Sequence, residues 1–122
     1  MNQRQTTTLS IGFMSREDFR QHCLDLAAGR KQTKPDQPKI LFDSFESFAK
    51  LLSADNRALL RLILEQAPQS LEELARLSHR KEGNLSRTLK KLAQHGLIRL
   101  HREQRRLVPE VVGTQFKLEF EL

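Results

Sequence analysis

The sequence predicts a small α+β fold, mainly helical, over its 122 residues. Three observations carry that expectation. Capped, apolar-periodic segments follow one another between Ser44 and Gly96, as successive helices do. Leu97-Ile98-Arg99-Leu100 and Leu107-Val108 flank the basic stretch His101-Arg102-Glu103-Gln104-Arg105-Arg106, which reads as two strands joined by a basic turn. Two outer segments, residues 6–13 and 116–122, alternate apolar and polar side chains. Helix, turn, helix and basic hairpin is the order of a winged helix-turn-helix. The predicted organisation is therefore an N-terminal β-α extension and linker at residues 1–39, a winged helix-turn-helix at 40–109, and a strand for pairing or dimerisation at 110–122.

Residues 1–5 precede the first strand as a frayed end. In that strand Leu9, Ile11 and Phe13 share one face. Ser15 is placed to cap the next helix, with Asp18 at the capping-box position. Its apolar stripe is Phe19, Cys23, Leu26 and Ala27, ending at Gly29. Cys23 on that stripe is expected to be a small core residue. Residues 30–39 hold Pro35 and Pro38 and few apolar groups, and 34–39 read as a linker and hinge. Ile40-Leu41-Phe42 is a short strand. Ser44 caps a helix with Phe45, Phe48, Ala49 and Leu52 inward.

A further helix begins near Asp55, turns Leu59, Leu62 and Ile63 inward, and ends at Pro68. Ser70 and Glu73 form a capping box for a helix through about Ser78, with Leu71, Leu74 and Ala75 on its apolar face. Ser78-His79-Arg80-Lys81 is a polar break. The last helix should run from about Glu82 to His95 and stop at Gly96, with His95 at the negative end of the helix dipole. Leu85, Leu89 and Leu92 recur at i, i+4 and i+7 and face inward, so Asn84, Arg87, Thr88 and Lys91 face outward. In the tail, Phe116, Leu118, Phe120 and Leu122 fall on one face, and Lys117, Glu119 and Glu121 on the other. A strand with a bare edge needs a partner, and residues 7–13, in the same chain or a second subunit, are the candidate. Four apolar residues on one face lead us to expect a homodimer through this tail.

The formal charge is +6. Residues 70–106 alone hold ten basic and four acidic residues, so their net +6 matches the whole excess. A local basic excess suits a polyanionic partner better than an even spread does, and the competing reading is a solvated basic face. The single Cys excludes an internal disulfide, and no Cys/His spacing fits zinc. No apolar run approaches the roughly 18 residues of a membrane span, and no signal region follows Met1. A cytoplasmic protein with no cofactor and no metal is expected. His22, His79, His95 and His101 are scattered without spaced carboxylate or thiol partners, and Asp55 and Glu65 sit on a helix surface, so a catalytic role is not expected.

The outward helix face carries the residue types that read DNA. Arg87 can bond guanine O6 and N7 with two parallel hydrogen bonds, and Asn84 can do the same to adenine N6 and N7. Thr88 can touch a thymine methyl. Ser70, Lys81, Ser86, Lys90 and Lys91 suit phosphate contacts, which set register and affinity. Arg102, Arg105 and Arg106 at the hairpin tip suit a flanking minor groove or its phosphates. Gly83 costs up to about 1 kcal/mol against Ala in a helix. It either admits close backbone approach to phosphate or marks a helix that starts one residue later.

Residues 70–109 resemble MarR-like winged helix-turn-helix regulators, in Leu74-Ala75 before the turn, Ser86-Arg87-Thr88-Leu89 on the second helix, and Leu92 through Gly96-Leu97-Ile98 into the wing. The wider pattern resembles a group of small prokaryotic DNA-binding proteins encoded beside a toxin. It includes Gly12-Phe13-Met14-Ser15-Arg16-Glu17-Asp18-Phe19, Pro38-Lys39-Ile40-Leu41-Phe42, Ser53-Ala54-Asp55-Asn56-Arg57-Ala58-Leu59-Leu60 and Arg80-Lys81-Glu82-Gly83-Asn84-Leu85-Ser86-Arg87-Thr88-Leu89. That resemblance implies an antitoxin that represses its own operon, with double-stranded operator DNA and a cognate toxin as partners. MarR-like proteins often bind as dimers. Phe13, Phe19 and Leu26 are the candidate toxin-binding anchors, since apolar anchors are what a tight interface uses. A free-standing repressor without a toxin, and a winged-helix module for protein or RNA, are the alternatives.

Overall fold

Ile11 is 0% exposed and sits in the middle strand of the larger sheet. The computed structural model describes residues 7–31 and 40–122; the frayed start at 1–5 and the linker at 34–39 lie outside the described residues. In chain order the elements are β1 (Thr8–Phe13), α1 (Arg16–Ala27), β2 (Ile40–Phe42), α2 (Phe45–Leu51), α3 (Ala54–Gln66), α4 (Leu71–Ser78), α5 (Glu82–Gln94), β3 (Ile98–Glu103), β4 (Arg106–Val111) and β5 (Gln115–Glu119). This is a small α+β fold.

One sheet has the order β2-β1-β5, with both pairings parallel. Ile11 stands beside Ile40 on one side and Leu118 on the other. The sheet thus unites segments that the sequence divides among extension, central part and tail. β5 reaches β1 through Gly113, where a Cβ would lie 2.5 Å from Leu9 Cγ, so a larger residue would push the strand away. Thr114 and Gln115 then donate their N–H groups to the Thr7 carbonyl at 3.0 and 3.2 Å.

Leu59, Leu60 and Ile63 of α3, Leu74 of α4, and Leu85, Leu89 and Leu92 of α5 are buried in one core with Ile11, Ile40 and Phe42. Ser44, Ser53 and Ser70 each cap a helix by accepting the N–H three residues on. Gly96 takes a φ of +78° just past α5, as the chain-reversal position requires. β3 and β4 form a separate antiparallel pair, from Ile98 opposite Val111 to Glu103 opposite Arg106. Among the described residues no helix is long and apolar enough to cross a membrane.

Three expectations need correction. Cys23 is exposed, and no residue of α1 is fully buried, although Leu26 is half-buried. The stripe has helical spacing, but it is covered only in part. In α2, Leu51 is buried and Ala49 exposed, while Phe45 stays 40% exposed and packs its ring 4.1 Å from Phe13 and 4.5 Å from Phe120. Aromatic stacking at the sheet edge, rather than insertion into the core, holds that helix start. The basic turn at 101–106 is mostly strand. Only Gln104 and Arg105 turn, with φ of 50° and 67°, the left-handed pair that a two-residue hairpin needs. The tail does pair with β1 in the same chain, yet Leu118 and Phe120 remain 44% and 52% exposed.

Mainly local bonds hold α1, together with an exposed contact from Arg16 to the Asp43 carboxylate at 3.8 Å. Ser15 Oγ accepts from the Asp18 N–H at 3.1 Å. At the far end the Asp25 carboxylate accepts from Arg30 at 2.9 Å and Gln21 at 3.0 Å, with Lys31 nearby; Arg30 first, then Gln21, hold the carboxyl below the usual carboxylate range. A 12-residue helix with no fully buried residue is marginal. Amides of α1 should therefore exchange with solvent far faster than those of α5, as read by hydrogen exchange. Equal protection of residues 19–23 and 85–89 would contradict the account.

Candidate nucleic-acid interface

The position of α5 follows from packing more than from capping. Leu85, Leu89 and Leu92 are 0–1% exposed, and burying each contributes about 2 kcal/mol. The N-cap, Lys81, makes no side-chain cap bond, a contribution that is typically ~1 kcal/mol where present. Rotating α5 to change its outward face would uncover the leucines, so the apolar seam fixes which side chains point out.

The turn before α5 is held by a clip that the sequence pattern does not reveal. His79 ends α4 in the left-handed region, with φ of 58°. Next to it, Arg80 Nη1 donates to Asn56 Oδ1 at 3.2 Å, and Nη2 donates to the Asp55 carbonyl at 3.0 Å. Asn56 Nδ2 donates in turn to the Leu51 carbonyl at 2.9 Å. The end of α2, the start of α3 and the α4–α5 turn are thereby tied together. Arg80 stands in the polar break of the sequence, and its partners lie 24 and 25 residues away, so no local signal points to it.

Asn84, Arg87, Lys90 and Lys91 are exposed, and Ser86 and Thr88 half-buried. Thr88 Oγ1 donates to the Asn84 carbonyl at 3.2 Å, which engages the hydroxyl and leaves the methyl for an outside contact. The face forms a ridge between two open clefts. One, about 730 Å³, lies towards α3 and is lined by Asp55, Asn56, Arg80, Asn84 and Thr88. The other, about 830 Å³, lies towards β2 and α1 and is lined by Phe19, Phe42, Thr88, Lys91, Gln94 and His95. His95, at the C-cap, stacks on Phe42 with centroids 4.4 Å apart and planes 6° apart. A Cβ on Gly83 would meet nothing within 4 Å, so internal packing does not demand glycine there.

The other sequence-derived residues are placed less uniformly. Ser70 Oγ accepts from the Glu73 N–H at 3.0 Å, so it serves the start of α4. The return bond of the box goes from the Gln69 N–H to the Glu73 carboxylate, one residue earlier than the pattern implies. Lys81 is exposed at the start of α5. Arg105 is at the hairpin tip, but Arg102 opposes Leu107 and Arg106 opposes Glu103, so Arg102 and Arg106 lie on opposite faces of the ribbon. Glu103 also approaches His101 Nε2 at 3.2 Å. The three arginines therefore do not form one basic face. Phe13 is half-buried against Phe45 and Phe48, while Phe19 is 44% exposed and Leu26 half-buried on α1.

Among the described residues none of Lys81, Arg87, Lys90, Lys91, Arg102, Arg105 and Arg106 is in an ion pair. Unpaired cations along an exposed helix face give a field that attracts polyanions. Among the described residues no group of three or more His, Cys, Asp or Glu side chains could hold a metal ion.

The HVO_A0114 family model matches residues 51–118, more than half of the chain. The chain belongs to the HVO_A0114 family. The HVO_A0114 segment takes in α3, α4, α5, the hairpin and most of β5, and leaves β1, α1 and β2 outside it. No curated protein and no solved structure matches the chain.

The clip gives a direct expectation. Arg80→Ala removes both bonds from the turn to α3 and should lower stability by about 1–2 kcal/mol in urea unfolding, with Arg80→Lys recovering little because an ammonium cannot reach both acceptors. An unchanged midpoint would mean that the clip is idle.

Proposed function

We propose that this chain is a sequence-specific double-stranded-DNA-binding regulator, built as a winged helix-turn-helix from α3, α4, α5 and the β3–β4 hairpin. The observation that carries the reading is the α5 ridge: Asn84, Arg87 and Lys91 stand exposed along one helix face, with no acid among them and a cleft on either side. A helix that stands proud is the element that enters a major groove. Arg87 and Asn84 read base edges, and Thr88 offers its methyl to thymine. Lys81, Lys90 and Lys91 neutralise phosphates, and the open space at Gly83 lets backbone come close to one. Arg105 at the hairpin tip reaches the flanking backbone. The role is one of binding, without a catalytic step, and belongs in the cytoplasm.

The resemblance to DNA-binding proteins encoded beside toxins extends the reading to an antitoxin that represses its own operon. What supports a protein partner is α1, on which Phe19 and Leu24 are each more than two-fifths exposed. A free-standing repressor would lack that partner. A protein-binding or RNA-binding module would shift no duplex selectively.

Arg87→Ala should cost about 1–3 kcal/mol in binding to the chain's own upstream duplex and relax preference at one position. Lys91→Ala should weaken specific and random duplex alike and flatten the salt dependence. If Arg87→Ala leaves affinity and preference intact in a gel-shift titration, α5 is not the reading helix.

The antitoxin role is read separately. The doubly substituted Phe19→Glu, Leu24→Glu chain should still bind the duplex but no longer co-purify with the product of the neighbouring gene. Retained co-purification would move the toxin contact off α1.

A further inference from the structure

The two edges of the three-stranded sheet differ. The β2 edge spans three residues. The β5 edge spans Gln115–Glu119, and its apolar face continues beyond the strand, with Leu118, Phe120 and Leu122 all strongly exposed. Its main-chain groups have a known direction. Gln115 stands opposite Thr8 and donates its N–H to the Thr7 carbonyl of the strand alongside. By alternation, Gln115, Lys117 and Glu119 turn their N–H and C=O groups towards β1, and Phe116, Leu118 and Phe120 turn theirs outward. Such an edge is a template for another strand.

We propose that β5 of a second copy occupies this edge, antiparallel, with a two-fold axis at Leu118, so that two three-stranded sheets become one of six strands. The backbone and the charges choose this arrangement together. The outward groups make Phe116, Leu118 and Phe120 the hydrogen-bonded positions on both strands. With Leu118 opposite its own copy, Phe116 faces Phe120 of the second copy, and Lys117 faces Glu119 of the second copy, twice by symmetry. Those Lys–Glu pairs fall at the non-hydrogen-bonded positions, where opposed side chains come closest. Centring the axis on Lys117 would oppose two lysines, and centring it on Glu119 two glutamates. Among the described residues neither Lys117 nor Glu119 has an ion pair within its own chain. An axis normal to the sheet also keeps both apolar faces on one side, where Leu118 and Phe120 of the two copies cover each other.

The inference rests on the sheet alone, so it is read without nucleic acid and stands or falls apart from DNA binding. The full chain should sediment as a dimer. Lys117→Glu and Glu119→Lys, each alone, should raise the dimer dissociation constant about tenfold or more, since two attractive cross-strand pairs become repulsive. The double exchange, Lys117→Glu with Glu119→Lys, should restore dimerisation, while circular dichroism of all variants stays that of the parent. A monomeric parent at its highest soluble concentration overturns the proposal and leaves the edge to a strand of a different protein. Dimers untouched by the single reversals, or not rescued by the double, overturn the register.

Discussion

The position of β1 between β2 and β5 is the constraint on which the rest of the molecule depends. Leu9, Ile11 and Phe13 line one side of the strand, and Ile11 is wholly enclosed. Strands paired in parallel on both sides cannot be joined by tight turns, so the chain must leave the sheet between them. Between β2 and β5 it does so through α2 to α5 and the hairpin, and those helices close over the apolar side of the sheet. Removing β1 would separate β2 from β5 and unroof the leucine core. The strand is therefore integral to the body, although α1, directly after it, is not.

Within that body, two kinds of restraint set α5. The seam of Leu85, Leu89 and Leu92 fixes its rotation, because turning it would expose three large side chains at about 2 kcal/mol each. The Arg80–Asn56–Leu51 relay fixes where it begins. Neither restraint engages the outward residues, which leaves Asn84, Arg87, Lys90 and Lys91 exposed. Rigid support beneath a solvent-facing polar row is the arrangement that recognition requires.

The aromatic residues hold a different region. Phe13 meets Phe45 and Phe48, Phe42 meets Phe48 and His95, and Phe45 meets Phe120. This chain of rings runs from the end of α5 across β2 and β1 to the tail. α1 stands outside it, with the Ser15 cap and an apolar stripe of which no residue is fully buried.

Much was legible in the sequence because its signals are local. Ser15, Ser44 and Ser70 each stand before a helix and cap it, since a hydroxyl needs only the N–H three residues on. Leucine spacing named the buried and outward faces of α5, because a helix repeats every 3.6 residues whatever surrounds it. The hairpin and the alternating tail were visible for the same reason. Tertiary structure alone decided what covers a stripe. Cys23 and Leu85 carry comparable periodic signals, yet one is exposed and the other enclosed, because burial depends on elements distant in the chain. It also decided that Arg102 and Arg106 part to opposite faces, since strand register needs a turn of known length, and that Arg80 clips α3. Those contacts join residues that no periodicity relates, and only the folded chain brings them within bonding distance.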